Sequence, residues 1–444
     1  MSEPHLKQSL GLGSVALFGL AYMTPMIVLG TWGPMAVTSH GTAATAYLLA
    51  AAAILLTAIS YGVMSRLYPV AGSAYSYTRK SLNAHLGFLV GWAILLDYFF
   101  LPMVIWLIGA AYLGTAFPGV PGWVWIIGFI LLTTLVNIAG IAAADKVNIA
   151  LMILQFGVLI LFVVLAAHHV ASGGGAGTLV SAAPFTGHGV PLSASIGGAA
   201  LAAYSFLGFD AVSTLTEETR EPARTMPRAV MIIALAGGAI FCVTAYVTQL
   251  AHPGFDFASV DSAAFEIARD IGGDTFVALF VATLVASQFA AGLAAQASVG
   301  RLLYAMGRDG VLPRPLFGTL HAKSQTPVFN LVLVGVVGLA ALGLDVSTST
   351  SFINFGAFLA FTAVNLSVIA LYLKRHPLVR PRGWLGGVAV PALAGLCDLW
   401  LLASLDSAAR ILGAVWLALG ILYLAGLTGF FRRRPPEMDF AEAE

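Results

Sequence analysis

Two carboxylic acids, Asp97 and Asp210, stand in stretches that are otherwise apolar enough to cross a lipid bilayer. An ionised carboxylate in hydrocarbon costs roughly 3 kcal/mol or more unless it faces a bundle interior, a water-filled cavity or a cation. No Lys or Arg lies in the interior of an apolar stretch to neutralise these acids. Their chemistry therefore predicts a site for a cation or a proton inside the membrane.

Each acid also has a purely structural interpretation. Asp210 follows a predicted helix break, so its carboxylate could cap the first amides of the next half-helix instead of binding an amine or a proton. Asp97 could be hydrogen-bonded to nearby hydroxyls or held protonated by burial. Its neighbour Tyr98 could offer a hydrogen bond or an aromatic face to a cation.

The elements that would position these acids are two interrupted apolar stretches. In the first, residues 19–25 end in Pro25, which removes a helical donor and disfavours helical geometry at Thr24. In the sixth, residues 204–210 include Gly208. The two stretches would run in opposite directions, which predicts an inverted repeat with a binding site near the midplane. Proline and glycine also occur as simple kinks and packing points in membrane helices.

The composition places the whole chain in the membrane. Of its 444 residues, 59% are hydrophobic and 9% are charged, and the mean hydropathy is +0.91. These values predict an all-α integral membrane protein that forms a single polytopic domain, residues 1–444, with no separate soluble domain. The predicted spans are twelve: 12–38, 42–66, 85–116, 122–142, 146–169, 192–219, 228–251, 274–306, 328–344, 350–373, 386–404 and 409–431.

The bases are distributed unequally between the two sides of these spans. With the N-terminus inside, nineteen of the 21 Lys and Arg face the cytoplasm, and only Arg269 and Arg410 lie outside. This is a strong positive-inside signal, and an even number of spans returns the C-terminus to the cytoplasm. Seven acids occupy the external loops, either because topology excludes bases there or because they steer a cationic substrate: Asp256, Asp261, Glu266, Asp270, Asp274, Asp345 and Asp406.

The sequence gives no support for a disulfide, a metal site or a known catalytic motif. Cys242 and Cys397 fall inside spans, where packing is the expected role, and the sequence lacks a His-Glu-x-x-His motif and a Ser-His-Asp arrangement. We expect no catalytic residue, no metal, no cofactor and no nucleic-acid partner. The partners expected are a small cation, protons and the lipid bilayer.

The chain resembles the amino acid, polyamine and organocation transporter superfamily along nearly its whole length. The segments that carry the resemblance are SFLGFDAVSTLTEETREPARTMPRAV (205–230) and RLLYAMGRDGVLP (301–313). GLAYMTPM (19–26), LLDYFFLPM (95–103) and INFGAFLAFTAVNLSV (353–368) look most like bacterial putrescine importers. The resemblance implies a LeuT-type architecture, with repeats at about 11–170 and 190–374 and extra helices at about 386–431. It also implies proton-coupled putrescine uptake across the inner membrane.

The resemblance and the chemistry together define a candidate site. Relatives of this kind place the two breaks around the substrate, with Asp97 and Tyr98 opposite, and several carry a lysine near the position of Gln155, where a neutral side chain suits a cationic ligand. A diamine needs two separated acceptors with apolar or aromatic walls between them. The predicted substrate-binding residues are Tyr22, Met23, Thr24, Pro25, Met26, Asp97, Tyr98, Tyr204, Ser205, Phe206, Leu207, Gly208, Asp210, Ser287, Gln288 and Phe355.

Within this set Asp97 and Asp210 would hold the two ammonium ends, and Asp210 would carry the proton. Three other functions are open: an importer or exchanger of another amine or a cationic amino acid, a channel, and a sensor that uses the transporter fold.

Overall fold

The structure, a computed structural model, describes residues 10–69, 73–140, 145–321 and 326–437. The regular secondary structure of the described residues consists of helices joined by turns and loops. An isolated parallel β-bridge pairs Leu10 with Thr219. The described residues include ten helices long and apolar enough to cross a membrane, and two shorter apolar helices, Gly122–Ile138 and Val328–Leu342. Each of the twelve predicted stretches overlaps one of these twelve. The protein is therefore an all-helical, multi-pass membrane protein.

The α-helices are, in chain order, α1 (Leu12–Tyr22), α2 (Ile27–Gly30), α3 (Trp32–Thr38), α4 (Ala43–Leu67), α5 (Ser73–Ser81), α6 (Ala84–Ala116), α7 (Gly122–Ile138), α8 (Asp145–Ala171), α9 (Ala183–Thr186), α10 (Leu192–Ala202), α11 (Pro222–Ala251), α12 (Ala263–Arg308), α13 (Arg314–Phe317), α14 (Val328–Gly338), α15 (Val346–Leu373), α16 (Val390–Ala403) and α17 (Ser407–Leu427). The predicted eighth span begins later than α12, which already starts at Ala263 and is kinked at Gly273, where φ is 69°.

The first apolar stretch is broken where its proline predicts. Helix α1 ends at Tyr22, α2 begins at Ile27, and Thr24 between them has a φ of 44°. The Thr24 carbonyl accepts from the Ile27 amide at 2.8 Å, so the chain turns before the helix resumes. This conformation is uncommon for a non-glycine residue, which identifies the break as a constrained element and not a frayed end.

The sixth stretch is broken at the matching place. Helix α10 ends at Ala202, a 3₁₀ turn covers Ala203–Phe206, and a second 3₁₀ segment covers Ala211–Glu218. Between them Gly208 has a φ of 107°, which is open to glycine but strained for other residues. A Cβ atom added at Gly208 would lie 2.4 Å from Cδ1 of Tyr22. The two breaks therefore touch, and the missing side chain permits their close approach.

The neighbouring helices hold the breaks from two sides. Helices α4 and α11 pack along each other, and α1 and α10 lie against this pair. On the other side α6 packs against α12 and α15. Helix α6 is 33 residues long, which corresponds to about 50 Å at 1.5 Å per residue. Asn83 caps its first turn by accepting from the Leu86 amide at 2.9 Å.

Candidate functional site

A cavity of about 260 Å³ opens at the two helix breaks. Its walls come from α1, the break that follows it, the start of α2, α6, α8, the segment 204–211 and α12. Eleven of the sixteen predicted residues line it: Tyr22, Met23, Thr24, Asp97, Tyr98, Tyr204, Leu207, Gly208, Asp210, Ser287 and Gln288. Drug-sized ligands occupy sites of about 300–1,000 Å³, so this volume suits a ligand of few atoms.

Five predicted residues lie outside the lining of this cavity: Pro25, Met26, Ser205, Phe206 and Phe355. Ser205 is buried, and its Oγ is 3.2 Å from the Tyr47 hydroxyl oxygen. Met26 is 2% exposed and belongs to the packed core. Ser205 and Met26 therefore pack between helices next to the cavity and do not line it.

The two predicted aromatic residues outside the cavity also serve packing. The ring of Phe206 stacks edge-to-face on Phe241, with centroids 5.1 Å apart. The ring of Phe355 faces α17, because a Cβ atom added at Gly413 would lie 2.4 Å from it. Tyr22, Tyr98 and Tyr204, by contrast, are aromatic residues of the cavity wall.

Asp97 contributes a carboxyl group that the protein leaves unsatisfied. It lies on the continuous helix α6, and its Oδ1 is buried with no hydrogen-bond partner among the described residues. None of the four ion pairs found in the described part of the chain includes it. A buried oxygen of this kind is expensive to leave unpaired, so the position favours a cationic or hydrogen-donating ligand.

Asp210 reaches the same cavity from the other side of the break. It precedes the 3₁₀ segment Ala211–Glu218, but its side chain makes no capping hydrogen bond to that segment. The Tyr61 hydroxyl on α4 donates to its Oδ2 at 3.4 Å. The alternative role as a helix cap is therefore absent from this structure, and the carboxyl group remains directed to the cavity and Tyr61.

The polar residues of α12 add further hydrogen-bonding capacity. The Ser287 hydroxyl donates to the Thr283 carbonyl at 2.7 Å, which leaves its oxygen lone pairs able to accept. Gln288, which is 6% exposed, and Gln155 on α8 also line the cavity. Oε1 of Gln155 is buried without a partner among the described residues. No Lys or Arg is among the lining residues, so the cavity is an acceptor-rich, aromatic-walled site that suits a cation.

Fourteen further lining residues are outside the predicted substrate-binding set, and most of them extend the cavity along the second half of α1, the first half of α8 and the second half of α12. They are Phe18, Ala21, Ile27, Leu101, Ile105, Leu151, Met152, Gln155, Ala211, Ala290, Ala291, Ala294, Ala295 and Ser298. Of these, only Gln155 was considered in the sequence analysis. Helical spacing could have identified several, because residues four apart share a face. Leu101 and Ile105 follow Asp97 at steps of four, and Ala291 and Ala295 follow Ser287 in the same way.

A third membrane-embedded acid was also missed. Asp398 on α16 is fully buried, and its Oδ2 accepts from the Thr57 hydroxyl at 2.9 Å and the Asn365 amide at 3.0 Å. This cluster joins α4, α15 and α16 away from the cavity. The rule that singled out Asp97 and Asp210, an acid within an apolar stretch, applies equally to Asp398 in 386–404.

We expect Asp398→Ala to lower the free energy of unfolding by about 1–3 kcal/mol, because Thr57 and Asn365 lose their shared buried acceptor. Thermal unfolding of the purified protein in detergent measures the effect. Asp398→Asn is the control, since its amide oxygen can still accept. An equal loss in both variants would mean that the carboxylic acid itself, and not an acceptor oxygen, stabilises the cluster.

On the putrescine uptake that the sequence resemblance implies, we expect Gly208→Ala to impair uptake severely. The new Cβ meets the Tyr22 ring, and an alanine at a φ of 107° is strained by about 1–3 kcal/mol. Gly426→Ala is the matched control, since nothing lies within 4 Å of an added Cβ there. Uptake in proteoliposomes at equal amounts of folded protein provides the measurement. Near-normal uptake by Gly208→Ala would show that the contact between the breaks is dispensable.

Comparison with known proteins relates the whole chain to one group. A family model described as amino acid permease matches residues 12–427. The low-affinity putrescine importer PlaP of Escherichia coli (strain K12) is 38% identical over 99% of this chain and 97% of its own length. Two proteins of Bacillus subtilis (strain 168) are each 27% identical: the methylthioribose transporter, over 93% of this chain and 90% of its own, and the branched-chain amino acid permease BcaP, over 95% and 93%.

Proposed function

Because this chain belongs to the amino acid permease family, we propose that it is a secondary transporter that imports putrescine, with protons as the coupling ion. The observation that carries the proposal is the pair Asp97 and Asp210, which line one small cavity whose lining includes no Lys or Arg. The similarity to a putrescine importer over nearly the full length of both chains supports the same substrate.

In the proposed complex each ammonium group of putrescine meets one carboxyl group. Asp97 has an unpaired buried oxygen for one end, and Asp210 beside Tyr61 receives the other. Tyr22, Tyr98 and Tyr204 form the wall along the four methylenes. Asp97 is then neutralised by the substrate, and Asp210 by the substrate or by the coupled proton, which offsets the cost of keeping two carboxylates in the membrane.

We further propose twelve membrane spans in the inner membrane, built as two inverted five-helix repeats followed by α16 and α17, with both termini in the cytoplasm. The breaks at Thr24 and Gly208 support the repeat, because they fall at matching places in the first and sixth spans. The distribution of Lys and Arg supports the orientation. On this topology the additional cavity-lining residues of α1, α8 and α12 form a path towards the cytoplasm.

The energetics favour import. A dication that enters a cell with a negative interior gains about 4.6 kcal/mol per 100 mV, from about 2.3 kcal/mol per charge. Coupling to a proton is therefore not needed for accumulation. The proposal of symport rests on Asp210, a titratable acid at a helix break. Protonated on the outside, its carboxyl group can still accept a hydrogen bond from an ammonium group, and it would release its proton on the inside.

Uptake into proteoliposomes with membrane potential and pH gradient set independently tests the proposal. A putrescine symporter responds to both. A response to membrane potential alone would indicate a uniporter. Binding of putrescine without any flux would indicate a sensor, and flux that does not saturate would indicate a channel.

A second candidate substrate is a cationic amino acid. The observation that favours it is the pair of helix breaks, where free amides could receive an α-carboxylate. Competition of putrescine uptake by cadaverine, spermidine, agmatine and arginine separates the two. Inhibition by arginine at lower concentration than by cadaverine would favour the amino acid.

A further inference from the structure

A second cavity, of about 650 Å³, lies between α4 and α11 and is unrelated to the substrate site. Four arginines line it: Arg66, Arg224, Arg228 and Arg382. No acidic residue is among its lining residues. We call this feature the arginine groove.

The arginines of the groove converge from three separate segments of the chain. Arg66 is in the last turn of α4, Arg224 and Arg228 are in the first two turns of α11, and Arg382 ends the 3₁₀ turn Arg380–Arg382. A positive-inside distribution accounts for bases on this side of the membrane, but not for their meeting in one groove. Their convergence is a property of the tertiary structure.

The described acids leave most of this charge uncompensated. Arg224 pairs with Glu221 at 3.1 Å, but both side chains are more than 70% exposed, so this pair is weak. Arg66, Arg228 and Arg382 take part in none of the ion pairs between described residues. Partial burial and the neighbouring Arg66 guanidinium lower the pKa of Arg382. Like charges thus lie close together in the groove, an arrangement that an anion would relieve.

Two other bases that the topology places on the same side, Arg308 and Arg79, have partners within the described part of the chain. Arg308 pairs with Asp309 at 2.9 Å, and Arg79 lies 3.6 Å from Glu437 and donates to the carbonyl oxygens of Pro435 and Pro436. In the groove, the amino-terminal end of α11 adds the positive end of its helix dipole, and its first turn carries no acid. The electrostatics of the groove therefore favour binding of an anionic group.

The opposite end of the groove is apolar and extends into the membrane. Ile59 lies two turns before Arg66 on α4, and Ile232 lies one turn after Arg228 on α11. Ile232 is 41% exposed and stands within a predicted span, so its exposed surface faces lipid. An occupant that satisfies both ends carries a phosphate and a hydrocarbon chain.

We propose that the arginine groove binds an anionic phospholipid, with the lipid phosphate among Arg66, Arg228 and Arg382 and an acyl chain along Ile59 and Ile232. Basic pockets between spanning helices on the cytoplasmic side suit anionic headgroups, and guanidinium groups bind phosphate oxygens in pairs. A free phosphate ion shares the headgroup chemistry but leaves the apolar end of the groove unused.

Titration of the delipidated full chain in detergent tests this proposal, with binding followed by native mass spectrometry and by thermal shift. The probes are phosphatidylglycerol, phosphatidylcholine with the same acyl chains, and inorganic phosphate. We expect phosphatidylglycerol to bind and to raise the melting temperature, whereas the other two do not. Equal effects of phosphatidylcholine, or a full effect of inorganic phosphate, would overturn the assignment.

Two variants with equal charge loss distinguish the groove from general surface charge. The groove variant carries Arg66→Gln, Arg228→Gln and Arg382→Gln, and the control carries Arg301→Gln, Arg314→Gln and Arg380→Gln, none of which lines the groove. Loss of three groove charges is expected to weaken phosphatidylglycerol binding about 100-fold, and the control only slightly. Equal weakening in both variants would refute a defined site. If the groove variant does not fold, Arg382→Gln alone, outside the spanning helices, should weaken binding about fivefold.

Discussion

Putrescine binding is expected to weaken roughly 10- to 100-fold when Asp97 is replaced by asparagine, whereas butylamine binding should change much less. A hydrogen bond to a charged group contributes about 1.5–3 kcal/mol, and about 1.4 kcal/mol corresponds to a tenfold change in affinity. Butylamine has one ammonium group, which Asp210 can still receive. Competition against radiolabelled putrescine on the purified protein measures both affinities.

The comparison of the two ligands makes this prediction specific to a two-ended site. A variant that only distorts the cavity would weaken the binding of both amines alike, and such a result would count against a site in which Asp97 and Asp210 each hold one ammonium group. Leu101→Ala provides a control for packing, because Leu101 lines the cavity one turn after Asp97 and carries no polar group. It should affect both amines to a similar and smaller extent.

The second large effect is expected at Asp210. Asp210→Asn should abolish the response of putrescine uptake to an imposed pH gradient, because asparagine cannot carry the proton. Any residual uptake should still follow the membrane potential, since the substrate retains its two charges. Proteoliposome uptake with the two gradients imposed separately gives the measurement.

Two other acids act as controls for proton coupling. Uptake that remains after Asp97→Asn should keep its response to the pH gradient, and so should uptake by Asp398→Asn. A retained pH response in Asp210→Asn would remove that residue from the proton pathway. If Asp398→Asn alone lost the response, the proton would be carried in the helix-packing cluster with Thr57 and Asn365 instead.

Much of the fold could be predicted from local chemistry. Membership of the permease family is confirmed, and so is the all-helical membrane class. Pro25 predicted the break after Tyr22, because a missing amide and a restricted preceding residue act within one helical turn. The short helix α5, Ser73–Ser81, was not predicted, since its polar sequence has no membrane signal.

The residues of the candidate site also differ in how far the sequence could identify them. Asp97 and Asp210 could be singled out because the cost of a buried carboxylate depends on residue type and surroundings alone. Phe206 and Phe355 were grouped with the cavity walls, whereas their rings pack against Phe241 and α17. An aromatic side chain fits a binding wall and a helix interface equally well, so its type does not decide between them.

By itself, the sequence determined the class of protein, the apolar stretches, the two breaks and the acids that must find a partner. These follow from composition, backbone chemistry and desolvation, which act on each residue and its chain neighbours. Only the tertiary structure decided which faces of the helices meet, and so that Asp97 and Asp210 share one cavity, that Asp398 joins Thr57, and that four arginines converge on one groove. The physical reason is that helices apolar on every face carry little periodic signal for their rotation. Steric fit, such as that of Gly208 against Tyr22, sets the rotation instead.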